Sequence, residues 1–161
     1  METDYDILIL GGGPAGLTAG IYAARARRRV LILDTGTLGG QTVLTHAVAN
    51  YPGVPTTTGR ELSQAMAQQA RDFGCEIKAF ARIASLDLSG EVKSVTLKNG
   101  TRLTARAAII ATGGVPRTLG VDGEDRFTGH GISYCATCDG DFFTGLPIAV
   151  VGGGNSALEE A

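Results

Sequence analysis

Two cysteines separated by two residues have the clearest potential for chemistry in this chain. Cys135 and Cys138 enclose Ala136 and Thr137, and Asp139 follows immediately. Thiols at this spacing can close a small disulfide ring, so that one attacks a substrate disulfide and the other resolves the mixed disulfide. Asp139 could give or take a proton as thiolates form and leave, or it could be an ordinary turn aspartate.

The cysteine pair has two other interpretations, a metal site and an inert structural bridge. Zinc requires about four ligands, and the chain adds only Cys75, His46 and His130 to the pair. His130 lies five residues before Cys135, which is not a usual zinc spacing. We therefore expect no metal site, a redox role for the pair, and ordinary structural roles for Cys75 and both histidines.

A glycine-rich turn near the start predicts a dinucleotide site. It follows an apolar run and opens a helical pattern, with an acidic residue closing the next apolar run. Such a turn lets backbone N–H groups approach a pyrophosphate at a helix N-terminus, while the acidic residue binds a ribose or merely caps its strand. The predicted binding residues are Gly11, Gly13, Pro14, Ala15, Gly16 and Asp34.

A second glycine-rich turn occurs near the other end of the sequence. It follows the apolar residues 148–151, which we predict to form a strand. Its predicted nucleotide-binding residues are Gly152, Gly154, Asn155 and Ser156. The residue that would distinguish NAD from NADP by its adenine ribose would lie beyond Ala161, so the motif leaves that choice open.

Apolar runs on either side of the first glycine turn predict a parallel β-α-β unit. The segments 6–10 and 30–33 are short and mostly apolar, as is typical of buried parallel strands. Residues 14 to about 28 are predicted to form the helix between them. The crossover should be right-handed, which indicates an α/β, Rossmann-like domain.

A second helix and several short strands are predicted next. Thr58 and Glu61 form a capping-box pattern that opens a helix to about Phe73, with Met66 and Phe73 in the core. Residues 76–111 predict a small antiparallel β-meander laid on the parallel unit. A parallel sheet plus a meander, followed by the beginning of a second Rossmann-like unit, is the expected fold.

Composition excludes several classes of partner. The chain has 161 residues, 43% of them hydrophobic, and a formal net charge of −2. This charge gives no reason to expect nucleic acid or an anionic membrane. The acidic start and the short apolar run after it fit neither a signal peptide nor a membrane span. We expect a cytoplasmic protein.

Taken together, the motifs resemble the low-molecular-weight, bacterial-type thioredoxin reductases over the whole chain. The most specific of them is CATCDG between two glycine turns. The matching stretches are GGGPAGLTAGIYAARA from Gly11, GGQ at 39–41, NYPG at 50–53, ATGG at 111–114, CATCDGDFF from Cys135 and GGGNSALEEA from Gly152.

The resemblance implies two cofactors and a domain division. Residues 1–115 would belong to an FAD-binding domain, and residues 116–161 would begin an NADPH-binding domain that carries the dithiol. FAD would lie on the first glycine turn, with Asp34 near its adenosine ribose. The further residues implied near FAD are Gly40, Gln41, Asn50, Ala111, Thr112 and Gly113.

The resemblance also implies an electron path. NADPH would reduce FAD, FAD would reduce the Cys135–Cys138 disulfide, and the dithiol would reduce thioredoxin. Cys138 would face the flavin, Cys135 would attack thioredoxin, and Asp139 would be the acid. Members of the family rotate one domain against the other and act as homodimers.

The sequence departs from the family pattern in length. A nicotinamide-binding domain needs on the order of 100 residues, whereas about 45 follow Val115. We therefore expect a reductase fragment that binds FAD weakly or not at all and turns over no NADPH. The alternatives are a non-catalytic nucleotide-binding remnant, a flavin-dependent dithiol oxidase and the reductase partner of a peroxidase.

Overall fold

The computed structural model of this chain describes residues 2–159 and contains one six-stranded sheet. Its strands are β1 (Tyr5–Leu10), β2 (Val30–Leu33), β3 (Glu76–Lys78), β4 (Ile83–Asp87), β5 (Lys93–Leu97) and β6 (Arg102–Ile110). Their order across the sheet is β3-β2-β1-β6-β5-β4. Strand β1 is central, and Leu8 and Ile9 are fully buried in it. The predicted α/β, Rossmann-like fold is confirmed.

The antiparallel meander extends the parallel sheet instead of lying on it. Strand β6 pairs in parallel with β1 along one edge and antiparallel with β5 along the other. Strand β3, which was predicted to belong to the meander, pairs in parallel with β2 at the opposite edge. The helix before β3 acts as a second crossover, and such a crossover returns the chain in the parallel direction.

Two helices form the main crossovers, α1 (Pro14–Arg25) and α2 (Gly59–Asp72). The predicted capping box at the start of α2 is confirmed. Thr58 Oγ1 accepts the Glu61 N–H at 3.1 Å, and Glu61 Oε2 accepts the Thr58 N–H at 3.0 Å. Helix α1 ends earlier than predicted, because the chain turns at Arg27 with a φ of 57°.

One of the two core predictions for α2 is wrong. Met66 is buried, but Phe73 is 40% exposed. Phe73 is the C-cap of α2, and the Arg25 guanidinium lies 5.3 Å from the centroid of its ring. The ring therefore packs under a cation at the surface. Cys75 is a buried free thiol, as predicted, and burial raises its pKa.

Residues 115–159 contain only short helices. These are α3 (Glu124–Phe127), α4 (Ala136–Asp139) and α5 (Asn155–Glu159), with 3-10 turns at Gly140–Phe143 and, earlier in the chain, at Gly40–Leu44. The predicted strand at 148–151 is not formed, and Ile148 and Val151 are 68% and 67% exposed. A strand requires a hydrogen-bonded neighbour, and none of the described strands pairs with this segment. No helix within residues 2–159 is long and apolar enough to cross a membrane.

Candidate functional site

The first glycine turn joins β1, α1 and the end of β6 by close backbone contacts. Gly11 has a φ of +110°, and a Cβ there would lie 2.1 Å from the Ala111 carbonyl oxygen. A Cβ at Gly16 would lie 1.9 Å from the Gly11 carbonyl oxygen. Only glycine fits at these two positions. The turn is therefore held rigidly at the carboxyl edge of the parallel strands, where nucleotides bind in such sheets.

Gly13 differs, because space beside it is open. A Cβ at Gly13 would meet only the Gly40 backbone, at 3.8 Å or more. Gly13 is the N-cap of α1, and the Leu17 N–H bonds to its carbonyl at 2.9 Å. Ala15 and Gly16 lie before Leu17, in the first turn of the helix, so their N–H groups point toward the helix N-terminus. This cradle fits the pyrophosphate of a dinucleotide.

Asp34 bonds to the backbone through both of its carboxylate oxygens. Oδ2 accepts the Gly12 N–H at 2.6 Å, and Oδ1 accepts the Gly36 N–H at 2.7 Å. This is the arrangement that the strand-capping alternative predicts. The carboxylate nevertheless lies directly at the glycine turn. Its contact with a ribose stays a prediction.

The other predicted FAD-binding residues are distributed unevenly around the first turn. Gly40 approaches Gly13, and Gln41 is exposed next to it in the 3-10 turn. Ala111 contacts Gly11, and Thr112 and Gly113 continue from it as exposed backbone. Asn50 is exposed in the loop after the 3-10 turn. The structure therefore brings the glycines, Asp34 and Ala111 together.

Cys135 and Cys138 are joined by a disulfide, with their Cα atoms 5.2 Å apart. Cys135 is the N-cap of α4, and its carbonyl accepts the N–H groups of Cys138 and Asp139 at 3.2 and 3.1 Å. This single turn places the two sulfurs within bonding distance. Cys135 is half-buried and Cys138 is exposed, so the disulfide can be reached from solvent.

Ser133 is a site residue that the sequence did not predict. Its hydroxyl donates to Asp139 Oδ2 at 2.6 Å and accepts the Cys135 N–H at 3.0 Å. The hydroxyl therefore fixes the Asp139 carboxylate relative to the disulfide. No local pattern marks this contact, because serine is common and lies six residues from Asp139.

The chain before the cysteine pair contacts the loop that follows the 3-10 turn at Gly40–Leu44. The rings of His46 and His130 lie 5.4 Å apart, centre to centre, with their planes tilted by 58°. Neither histidine approaches the cysteines as part of a metal site, since residues 2–159 contain no group of three or more potential metal ligands. The two rings instead bring the chain before the cysteine pair against the loop that follows the 3-10 turn.

The second glycine turn does not form a nucleotide cradle in the described part of the chain. Gly152, Gly154, Asn155 and Ser156 are all exposed, and the strand expected before them is absent. Helix α5 covers only Asn155–Glu159 and buries none of its residues. The described part of the chain places no sheet behind this turn to orient it, and the contact of these residues with NADPH stays a prediction.

Comparison with known proteins matches this chain to a known family. A family model described as pyridine nucleotide-disulphide oxidoreductase matches residues 5–161. The thioredoxin reductase of Peptoclostridium acidaminophilum is 47% identical over all of this chain, which covers 51% of that relative. The bifunctional thioredoxin reductase/thioredoxin of Mycobacterium leprae is 45% identical over 99% of the chain, which covers 35% of that protein.

Solved structures agree with these relatives. The thioredoxin reductase of Streptococcus pyogenes superposes with a TM-score of 0.87 at 42% identity, over 98% of this chain and 51% of that one. The thioredoxin reductase of Giardia duodenalis gives a TM-score of 0.89 at 38% identity, over 97% of this chain and 50% of that one. The chain spans about half the length of the first of these curated relatives.

Proposed function

The chain belongs to the pyridine nucleotide-disulphide oxidoreductase family, and on that premise we propose that it carries the FAD-binding unit and the redox dithiol of a thioredoxin reductase. The Cys135–Cys138 disulfide, with Asp139 held beside it by Ser133, is the observation that carries the proposal. Residues 1–115 are the proposed FAD-binding domain, and residues 116–161 begin the second domain. The expected cytoplasmic location and homodimeric full-length form stay predictions.

The first glycine turn is the proposed FAD site. The Ala15 and Gly16 N–H groups would hold the pyrophosphate, with Gly13 leaving room for it and Asp34 beside the ribose. FAD, when bound, supplies two-electron transfer between a pyridine nucleotide and a disulfide. NADPH is the nucleotide that the resemblance implies for the whole protein, although residues 152–156 do not form its site here.

The dithiol can perform the thioredoxin half of the reaction through its own residues. In the reduced pair, the Cys135 thiolate would attack a thioredoxin disulfide, which forms a mixed disulfide and releases one thioredoxin thiolate. The Cys138 thiolate would then attack the Cys135 sulfur, which re-forms the Cys135–Cys138 bond and releases the second. Two electrons pass to thioredoxin, and Asp139 is placed to exchange protons with the thiols.

This half-reaction can be measured without flavin. The chain, reduced and then freed of reductant, is expected to reduce about one equivalent of an oxidised bacterial thioredoxin, because each dithiol carries two electrons. A variant with both Cys135→Ser and Cys138→Ser should reduce none. Thiol-blocking gel shifts on thioredoxin measure the transfer.

Cys75→Ser provides the matched control, because it removes the buried thiol and leaves the exposed pair intact. Its transfer should equal that of the unaltered chain. Equal transfer by the double-serine variant would disprove the proposal. An unaltered chain that transfers nothing would favour the non-catalytic remnant instead.

The FAD site has a separate test, Gly13→Ala. The added methyl group would meet nothing closer than 3.8 Å, so the unfolding free energy should fall by less than about 1 kcal/mol. The same methyl group fills the proposed cradle, so we expect FAD affinity to fall about tenfold or more. Quenching of FAD fluorescence, titrated far enough to reach weak binding, measures the affinity.

Gly90→Ala is the control for this titration. A Cβ at Gly90 would also meet its nearest neighbour at 3.8 Å, but in the β4–β5 turn. It should leave FAD affinity unchanged. Unchanged affinity in Gly13→Ala as well would place the flavin elsewhere.

A further inference from the structure

Glu124 is a buried carboxylate that the proposed reaction does not use. It is 7% exposed and lies at the start of α3, in the segment that connects the sheet to the dithiol. Its oxygens accept the N–H groups of Leu119 at 2.9 Å, Gly120 at 2.7 Å and Val121 at 3.4 Å. The carboxylate therefore closes the connecting loop on itself, and a buried charge with several donors is stably held.

Tyr134 connects this carboxylate to the dithiol. Its hydroxyl donates to Glu124 Oε1 and accepts the Leu119 N–H at 3.2 Å. Tyr134 directly precedes Cys135, so the same short peptide carries the phenol and the first thiol of the pair. Hydrogen bonds hold the pKa of Glu124 below its ordinary value of 4.5, and the bond from Tyr134 has a larger effect than those from the backbone. Burial acts in the opposite direction and raises this pKa. The carboxylate is accordingly ionised at neutral pH.

We propose that Glu124 and Tyr134 form a clasp that positions the Cys135–Cys138 segment on the connecting loop and favours closure of the disulfide. Both are positioning residues, since neither touches a sulfur. The proposal rests on the proposed function for its biological meaning, because the pair must open and close in each cycle.

The physical reason is the effective concentration of the two thiols. The clasp holds the chain before Cys135 in the conformation in which the cysteine Cα atoms are 5.2 Å apart. Without the clasp, the open dithiol gains conformations that closure must remove, so the disulfide becomes less favourable. The effect should appear in the redox equilibrium of the pair, which a residue with a merely structural role would not shift.

The test is equilibrium against glutathione at pH 7, with the reduced fraction measured by alkylation of the full chain. In this exchange the two thiols lose two protons and two electrons to glutathione disulfide, whose S–S bond breaks as the Cys135–Cys138 bond forms. Tyr134→Phe removes one hydroxyl and should shift the equilibrium toward the dithiol by about threefold to tenfold. That shift corresponds to about 14 to 30 mV at 29.6 mV per tenfold change.

Glu124→Gln should shift the equilibrium in the same direction. The double variant should shift the equilibrium by less than the product of the two single effects, because both substitutions remove the same contact. Tyr22→Phe and Asp125→Asn are the matched controls, since both side chains are exposed and lie outside the clasp. Neither should move the equilibrium.

An unchanged equilibrium in a folded Tyr134→Phe variant would overturn the proposal, as would independent effects in the double variant. Should Glu124→Gln fail to fold, Tyr134→Phe decides alone, because it removes a single oxygen. The measurement needs neither flavin nor thioredoxin. A chain that shows the shift but does not reduce thioredoxin would therefore disprove the proposed function and leave the clasp standing.

Discussion

Replacing Gly16 with alanine is expected to lower the free energy of unfolding by about 2–4 kcal/mol. In an open helix the same change would raise stability by up to about 1 kcal/mol, because glycine is a poor helix former. Here the added Cβ would lie 1.9 Å from the Gly11 carbonyl oxygen. Steric overlap with backbone outweighs the gain in propensity, since neither the helix nor the turn can move alone. Urea denaturation followed by circular dichroism measures the loss.

Gly140→Ala is the control that separates overlap from propensity. Gly140 also has helical dihedrals, with φ −57° and ψ −38°, and a Cβ there would meet no atom within 4 Å. Its stability should stay unchanged or rise by up to about 1 kcal/mol. Equal changes in the two variants would show that the contact between helix and turn does not hold the first glycine turn in place.

The parts of the fold that sequence could predict are those fixed by local pattern. Residues 30–33 are apolar and bounded by polar ones, and all four are buried in β2. The capping box of α2 needs only residues three apart, and both of its hydrogen bonds form. The first glycine turn likewise depends on neighbours in sequence, which is why its geometry agrees with its motif.

The wrong predictions depend on partners far away in the chain. The strand at 148–151 has the expected apolar residues, yet it pairs with no described strand and remains exposed. The direction of β3 was decided by pairing with β2 and not by its own three residues. Phe73 looked like core on a helical wheel, but the helix ends there and its ring lies beside Arg25. Hydrophobic periodicity predicts which face of a helix or strand is apolar. It does not predict which residues pack against that face.

The residues of the candidate site also differ in whether they could be predicted from local sequence. The close spacing of the cysteine pair and the backbone contacts of the first glycine turn could be predicted, because both depend on fixed short spacings. The contact of Ser133 with Asp139 and that of Tyr134 with Glu124 span six and ten residues of irregular chain. Hydrogen bonds across irregular segments leave no periodic signal. The residues that orient the dithiol therefore became visible only in the structure.

Under the proposed function, Cys135 is expected to be the sulfur that attacks thioredoxin. We expect Cys138→Ser to form a mixed disulfide with thioredoxin at least about tenfold faster than Cys135→Ser does. Exposure alone favours the opposite order, since Cys138 is the more exposed of the two. Position favours Cys135, because it is the N-cap of α4 while Cys138 lies near the C-terminal end of that turn. A thiolate is stabilised at the start of a helical turn and not at its end.

A single-cysteine thioredoxin that carries a thionitrobenzoate group on its active-site sulfur makes this comparison direct. Attack by the protein thiolate forms the interprotein S–S bond and expels one coloured thionitrobenzoate, so absorbance gives the rate of each variant. Cys75 is buried and its pKa is raised, so it should contribute little, and a Cys135→Ser/Cys138→Ser chain measures that contribution. A faster Cys135→Ser variant would make Cys138 the attacking residue and contradict the assignment that the family resemblance implies. Equal rates would show that position in the turn does not distinguish the two thiols, and that the asymmetry of the reaction must come from what covers one of them.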